Sequence, residues 1–100
     1  MKLFVDDTRK FPQWGYECCR DVDTALLFLS IMDFEYISLD YSLGDARRNG
    51  LYILKWMYEN NIYVPEINIH SNNIFGREEM RVFCEENFPE SKITMRTLPK

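Results

Sequence analysis

The stretches LFVDD (residues 3–7), YISLD (residues 36–40) and INIHS (residues 67–71) decide the fold of this chain. Each is a short apolar run that ends in polar residues, which is typical of a buried strand of a parallel sheet followed by a site-forming loop. Because the carboxyl ends of parallel strands lie along one edge of a sheet, these polar residues are expected to meet in one crevice. Neighbouring aspartates repel one another unless a cation neutralises them. The sequence therefore predicts a Mg²⁺ and phosphate site at this edge.

Length and composition indicate how many domains the chain forms and which kinds of partner it can bind. One hundred residues, of which 46% are apolar, predict a single domain spanning residues 1–100. The net charge of −4 argues against a general nucleic-acid-binding surface, because such surfaces need clustered lysine and arginine. The cysteines Cys18, Cys19 and Cys84 form no CxxC pair, and a single histidine leaves no Cys/His zinc set. Free thiols, with no signal-peptide core or membrane-spanning stretch, predict a cytoplasmic protein.

Short apolar runs alternate with longer segments of helical period, which predicts an α/β fold with a parallel sheet. Strands are predicted at residues 3–6, 16–20, 36–40, 66–70 and 92–96. Residues 8–15 are predicted to form a loop, and three helices are predicted to begin at Asp21, Gly50 and Asn72 or Asn73. The predicted buried residues of these helices are Val22, Ala25, Leu26, Leu29, Leu51, Leu54, Met57, Tyr58, Met80, Phe83, Cys84 and Phe88.

Right-handed crossovers then predict a doubly wound, flavodoxin-like parallel sheet of five strands in the order 2-1-3-4-5, with helices on both faces. The helix that would follow the first strand is reduced to a loop. The topological switch point lies between the first and third strands. Asp6, Asp7 and Asp40 are therefore expected to face one another across the crevice, with His70 and Ser71 beside them.

The three aspartates are the predicted metal ligands. Mg²⁺ prefers oxygen ligands and keeps several waters, so two or three carboxylates and a substrate phosphate suffice, and Mn²⁺ is the alternative ion. An Asp pair after a strand also commonly starts a turn, and that interpretation of Asp6 and Asp7 stays open.

A second group of residues is predicted to face the phosphate. A helix that starts after Ser71 could hold an anion at its N-terminus, and Arg77 adds a guanidinium fork. His70 is predicted to act as a general acid or base, because the pKa of imidazole lies near neutrality. The predicted phosphate-binding residues are Arg9, Ser71, Asn73 and Arg77. The alternatives are that Ser71 and the asparagines cap a helix, that His70 packs internally, and that Arg9 is the counter-ion of Asp6 and Asp7.

These motifs resemble the receiver domains of response regulators, with an Asp pair after the first strand, an Asp after the third and a Ser after the fourth. They resemble more closely the cyclic-phosphate-processing receiver domains, which read LDDxRxP, then LDHDLG, then Gly before a helix with a Trp, then HSxNxxGRxxM. This chain reads VDDTRKFP (residues 5–12), LDYSLG (residues 39–44), Gly50 with Trp56, and HSNNIFGREEM (residues 70–80). The resemblance covers nearly all of the chain up to Phe88.

The resemblance implies roles for individual residues. Asp6 and Asp7 become metal-site carboxylates and Asp40 the central one, with His70, Ser71 and Arg77 facing the phosphate. Asp40, His70 and Ser71 are accordingly the candidate catalytic residues. Two departures stand out. Tyr41 and Ser42 replace a His and an Asp of the family pattern, and the Lys-Pro pair that closes response-regulator receivers is not evident, since Pro99 and Lys100 have the reverse order.

Three functional hypotheses follow. The first is a stand-alone receiver-like domain that uses a divalent metal to bind or hydrolyse a phosphate ester, with cyclic phosphates of nucleotides or RNA ends as the expected class. The second is a regulatory receiver in which Asp40 accepts a phosphoryl group and Ser71 senses it. The third is a degenerate receiver that acts as a protein-interaction module. None of the three involves a membrane.

Overall fold

The computed structural model describes residues 1–97 and contains the predicted strands and helices. The elements in chain order are β1 (Lys2–Val5), β2 (Tyr16–Cys19), α1 (Val22–Ile31), β3 (Tyr36–Leu39), α2 (Gly50–Glu59), β4 (Glu66–Ile69), α3 (Ile74–Asn87) and β5 (Lys92–Thr94). Each strand ends at or before the residue at which the sequence analysis ends it, so Asp6, Asp40 and His70 follow their strands directly. None of the helices in residues 1–97 is both long enough and apolar enough to cross a membrane.

The five strands form one parallel sheet in the order β2-β1-β3-β4-β5, which confirms the predicted topology. The prediction that helices cover both faces of the sheet is wrong. The crossovers from β2 to β3, β3 to β4 and β4 to β5 all step in the same direction, and right-handed connections then place α1, α2 and α3 on one face. Only the step from β1 to β2 runs the other way, and the loop of residues 6–15 makes it.

Strand alternation divides the sheet residues between two faces. The helix-covered face carries fully buried apolar side chains, which pack with all three helices in one core: Leu3, Val5, Ile37, Leu39, Ile67 and Ile69. Eight of the twelve residues predicted to be buried on the helices are buried, and α2 shows the largest difference. Ile53 is buried where Tyr58 was expected, and Tyr58 is 52% exposed. Leu26, Leu51 and Phe83 are only partly buried and pack against the edge of this core.

The centre of the second face of the sheet is buried without a helix over it, at Phe4, Tyr36, Ser38 and Asn68. The Phe4 ring lies there, and Phe11 from the loop of residues 6–15 packs edge-on against it with ring centroids 6.1 Å apart. At the other side the backbone of Arg96, just after β5, is hydrogen-bonded to the Asn68 side chain. Two irregular segments therefore replace the missing helical layer.

Side-chain caps define where the helices begin. The Asp21 carboxylate accepts from the Thr24 N–H at 2.7 Å, and the Asn73 amide oxygen accepts from the Gly76 N–H at 2.9 Å. This confirms Asp21 and decides between Asn72 and Asn73. The cap of α2 is Asn49, which the sequence analysis did not single out. These capped starts fix how the loops at the carboxyl edge enter α1, α2 and α3.

Gly50 begins α2 where that helix approaches the end of β3. Its N–H donates to the Tyr41 carbonyl at 2.8 Å, which closes the loop of residues 41–50. A Cβ atom at this position would overlap the Asp40 carbonyl oxygen and the Met80 methyl group. Glycine is therefore required here for close approach rather than for an unusual backbone conformation.

We expect Gly50→Ala to lower the free energy of unfolding by about 1–3 kcal/mol, the usual cost of overpacking a filled site. In an unconstrained helix the same change would be stabilising. Lys55→Ala, on the exposed face of α2, is the matched control and should change stability by less than about 0.5 kcal/mol. Urea denaturation of the three proteins measures both values. A Gly50→Ala protein as stable as the control would contradict this account of the helix start.

Candidate metal and phosphate site

Three aspartates meet at the carboxyl edge of the sheet. Asp6 and Asp7 follow β1, Asp40 follows the adjacent β3, and each offers a carboxylate oxygen within 4.8 Å of the others. Asp6 is buried, whereas Asp7 and Asp40 are partly exposed. The register of β1 and β3 causes this meeting, because Val5 pairs with Leu39 and the next residues on both strands are the acids.

Asp6 is the most firmly held of the three. Its Oδ1 accepts from the backbone N–H groups of Thr8 at 2.9 Å and Arg9 at 2.8 Å. Its Oδ2 lies 2.9 Å from His70 Nε2 and 3.5 Å from Arg9 Nε. Burial by itself would raise the pKa of Asp6, but these backbone and His70 hydrogen bonds outweigh it and hold the pKa below the ordinary aspartate value. Asp6 is therefore ionised at neutral pH.

Asp40 has the opposite electrostatic environment. Its Oδ1 accepts from the Tyr41 N–H at 2.8 Å, and its carboxyl group is also hydrogen-bonded to the Ser71 side chain. Burial raises the pKa of Asp40, and the negative charges of Asp6 and Asp7 add to this. The site thus places a second carboxylate where its charged form is disfavoured, and a cation would relieve that cost.

His70 lies beneath the acids instead of facing solvent. The ring is 1% exposed and stacks on Phe4, with centroids 4.7 Å apart and an interplanar angle of 2°. Nε2 contacts Asp6 and Nδ1 lies 2.6 Å from Ser38 Oγ, so both nitrogens are engaged within the protein. Burial lowers the pKa of His70 although Asp6 opposes this shift. A general acid or base would be expected to reach substrate, whereas this buried ring matches the alternative in which His70 packs internally.

The predicted phosphate-binding residues fall into two groups. The Ser71 hydroxyl is buried against Asp40 and the Asn73 amide caps α3, so both have structural partners. Arg77 donates only a long 3.5 Å bond to the Ser71 carbonyl and forms no ion pair within residues 1–97. Arg9 donates to the Thr97 carbonyl at 2.8 Å and the Asn72 amide oxygen at 3.3 Å, besides its contact with Asp6. Of these two arginines, Arg77 is therefore the less engaged, whereas Arg9 is held by three neighbours.

Three residues of the site were missed by the sequence analysis. The Arg20 side chain, directly after β2, donates to the carbonyls of Asp6 at 3.2 Å and Arg9 at 2.6 Å, which holds the loop after β1. Ser38 and Asn68 lie under the acids on the second face of the sheet, both fully buried. The sequence did contain a signal for Ser38 and Asn68. Ser38 lies two positions before Asp40 and Asn68 two positions before His70, so each is on the same face of its strand as a predicted site residue.

The structure describes one of the two departures from the family pattern, the replacement of a His and an Asp by Tyr41 and Ser42. The Tyr41 ring packs over α3, and a Cβ at Gly76 would overlap it, so this glycine accommodates the tyrosine. Ser42 is exposed in the following loop. The Pro99 and Lys100 pair lies outside the described residues, and no lysine occurs among residues 93–97 that follow the start of β5.

The family described as the cyclic-phosphate processing receiver domain matches residues 1–86. The chain belongs to this family. The match extends from β1 to the last turn of α3, and so includes the three acids and the loop that leads into α3. No curated protein matches the chain. The receiver-like fold expected from the sequence is thereby confirmed, and it carries the acidic cluster at the expected edge.

The electrostatics of this receiver domain predict that Asp40 costs stability when no cation is present. Its raised pKa means that the folded state favours the protonated acid, so the contribution is present at low pH and is lost as the pH rises through the folded pKa. Asp40→Asn keeps an acceptor for Tyr41 and removes the charge. With a chelator at pH 7 we expect it to raise the free energy of unfolding by about 0.5–2 kcal/mol, the usual range for a stabilising change.

The same comparison at low pH provides the control. Below the ordinary aspartate pKa of about 3.9, wild type and Asp40→Asn should converge, because Asp40 is then protonated in the folded and the unfolded protein. Asp33→Asn, on the exposed loop after α1, should change little at either pH. An Asp40→Asn variant less stable than wild type in chelator at pH 7 would show that the carboxylate is not under repulsion.

Proposed function

We propose that this receiver domain binds a phosphate ester with the help of a divalent cation, and that its ligand is a cyclic phosphate on a nucleotide or an RNA end. The observation that carries the proposal is the meeting of three carboxylates, two of them open to solvent, in a member of the cyclic-phosphate-processing family. Mg²⁺ or Mn²⁺ is the ion proposed, because the donor atoms are all carboxylate oxygens.

The residues fit such an ion in number, type and charge. Asp6, Asp7 and Asp40 would hold it, and waters and a phosphate oxygen would complete its coordination. A bound cation would polarise the phosphoryl oxygens and offset their negative charge. Asp6 stays ionised through its backbone hydrogen bonds, so one fixed anionic ligand is present before any ion arrives.

Two arginines support the phosphate part of the proposal. Arg77 has no carboxylate partner within residues 1–97, whereas Arg9 lies 3.5 Å from Asp6 Oδ2 and also donates to two neutral oxygens. The Arg77 charge therefore remains available to a phosphate, which a guanidinium binds through paired N–H donors. Arg9 would add to this by exchanging one of its present contacts for the phosphate. Ser71 supports the site indirectly, because its hydrogen bond orients Asp40.

His70 takes a supporting part in this proposal. The general acid or base role expected from the sequence requires a ring that reaches substrate, whereas the buried ring contacts Asp6 and Ser38. We therefore propose that His70 holds Asp6 in place. Turnover, if it occurs, would then depend on the aspartates, the arginines and bound water.

Cation binding is tested by thermal unfolding with increasing Mg²⁺ or Mn²⁺. At about ten times Kd, mass action should add about 1.4 kcal/mol to the free energy of unfolding, a rise of several degrees in Tm. Asp6→Asn and Asp7→Asn should remove most of that gain, whereas Asp33→Asn should keep it. NaCl at the same ionic strength is the control for screening. Equal Tm shifts in all four proteins would reject the site.

Phosphate-ester binding is tested with 2′,3′- and 3′,5′-cyclic nucleotides in the presence of Mg²⁺ or Mn²⁺. We expect cation-dependent binding by calorimetry, weakened about tenfold or more by Arg77→Gln, since a charge-assisted hydrogen bond contributes about 1.5–3 kcal/mol. Arg47→Gln, in the exposed loop after β3, is the matched control. Release of linear nucleotide that stops in Asp40→Asn would establish an enzyme, and binding without release would establish a sensor.

The second hypothesis, a phospho-accepting receiver, is favoured only by the contact between Asp40 and the Ser71 hydroxyl. The absence of a lysine from residues 93–97 counts against it. Intact mass after incubation with a small phosphodonor distinguishes the two, because only this hypothesis expects a base-labile gain of one phosphate on Asp40. If the protein shows neither a cation effect nor phosphorylation, a protein-interaction module would be favoured.

We also propose a cytoplasmic location, because the three cysteines are free thiols, which suit a reducing compartment.

A further inference from the structure

A continuous row of buried hydrogen bonds runs beneath the acids on the second face of the sheet. Asn68 Nδ2 lies 3.0 Å from Ser38 Oγ, Ser38 Oγ lies 2.6 Å from His70 Nδ1, and His70 Nε2 lies 2.9 Å from Asp6 Oδ2. Asn68, Ser38 and Asp6 are fully buried and His70 is 1% exposed. We call these four residues the buried network.

The direction of every bond in the buried network is fixed from its far end. The Arg96 N–H donates to Asn68 Oδ1 at 2.8 Å, and the Arg96 carbonyl accepts from Asn68 Nδ2 at 3.0 Å. A backbone N–H can only donate and a carbonyl can only accept, so Arg96 assigns both ends of the Asn68 amide. The Thr94 hydroxyl donates to the same Oδ1 at 2.7 Å and agrees with this assignment.

The remaining donors follow from that assignment. Asn68 Nδ2 donates to Ser38 Oγ, and among residues 1–97 the other hydrogen-bond partner of this oxygen is His70 Nδ1. The buried Ser38 hydroxyl proton has no other acceptor there, so it is directed to Nδ1. Nδ1 is then an acceptor, and the ring carries its proton on Nε2, which donates to Asp6. Stacking on Phe4 keeps the ring in the plane that makes both contacts. All three bonds therefore point toward the acidic cluster.

We propose that Ser38 and Asn68 are positioning residues for the cation site, acting through His70. They hold the ring with Nδ1 as acceptor and so direct Nε2–H to Asp6 Oδ2, which orients this carboxylate for the ion. Partners of metal-binding carboxylates commonly act in this way. The inference rests on the proposed function, because it assigns a task at the same site.

The burial of Ser38 excludes a catalytic triad as another interpretation of the buried network. Aspartate, histidine and serine in hydrogen-bond sequence also form the triad of many hydrolases. A triad serine must reach substrate, whereas Ser38 is fully buried and its oxygen already accepts from Asn68. The buried network therefore supports the site and does not attack a substrate.

The donor directions are tested by NMR on the metal-free protein. His70 is the single histidine of the chain, so the ring ¹⁵N signals belong to it alone. We expect one protonated ring nitrogen, Nε2, and an Nδ1 signal shifted by a hydrogen-bond donor. Asn68→Asp replaces the NH₂ donor with an acceptor and should draw the Ser38 proton away, which places a proton on Nδ1. Thr94→Val loses a different bond to Asn68 and should leave the His70 signals unchanged.

Ser38→Ala covers the case in which Asn68→Asp does not fold, because it removes one hydroxyl with little change of volume. Its Nδ1 signal should move to that of a nitrogen without a donor. A Nδ1 signal unchanged in folded Ser38→Ala, or a wild-type ring protonated on Nδ1, would overturn the inference. Both results are obtained without cation and do not depend on the proposed function.

The effect on the site is measured as Mg²⁺ or Mn²⁺ affinity in a double-mutant cycle. Ser38→Ala should weaken cation binding about fivefold, the equivalent of one typical hydrogen bond, and His70→Phe about 10- to 100-fold. In the His70→Phe background Ser38→Ala should have no further effect, because it acts through the ring. A purely structural Ser38 would lower Tm but leave the cation Kd unchanged.

The outcomes distinguish the positioning role of Ser38 and Asn68 from the proposed function of the site. If wild type binds cation and Ser38→Ala binds it equally well, the positioning role is wrong and the proposed function stands. If wild type binds neither Mg²⁺ nor Mn²⁺, the proposed function fails and the positioning role fails with it, whatever the NMR result.

Discussion

Repulsion among three carboxylates is the constraint around which the carboxyl edge of this sheet is organised. The parallel pairing of β1 with β3 brings Asp6, Asp7 and Asp40 together, and among residues 1–97 the only ion pair of these acids with an arginine or lysine is the 3.5 Å contact of Arg9 with Asp6. The fold tolerates this because Asp6 receives two backbone N–H donors and the His70 ring, which stabilise its negative charge. Asp40 bears the cost instead, because burial and then the negative charges of Asp6 and Asp7 raise its pKa. The pKa of Asp6 is lowered and that of Asp40 is raised. The site therefore holds one fixed anion and a second carboxylate whose charge a bound cation would stabilise.

The sequence allowed the topology and the acidic cluster to be predicted, because both depend on local patterns. Apolar runs that end in aspartate define strands and their polar ends, and the right-handed crossover rule supplies the order of the strands. The covered face could have been predicted as well. Three crossovers in one direction place three helices on one side, and only the loop of residues 6–15 was available for the other.

The parts that were not predicted depend on contacts between distant segments. Nothing near Ser38 or Asn68 in the sequence shows that they bind each other, or that Arg96 assigns the Asn68 amide. From the sequence His70 was a candidate acid or base, with internal packing as the alternative, and only the three-dimensional structure shows Phe4 stacked on it and Asp6 at its edge. The exchange of Tyr58 for Ile53 in the core has the same origin. A period of 3.6 leaves the edges of a helix face undecided until neighbours are placed.

The two ends of the described chain lie at opposite edges of the sheet. The Met1 carbonyl is bonded to the Glu35 N–H at the amino edge of the sheet, whereas the Thr97 carbonyl is held by Arg9 beside the acids. A label or second domain joined before Met1 would therefore sit on the opposite side of the protein from the aspartates. One joined after Thr97 would begin next to them and would compete for the guanidinium that a phosphate needs. The choice of terminus for immobilisation or fusion is thus a choice between an open and an obstructed crevice.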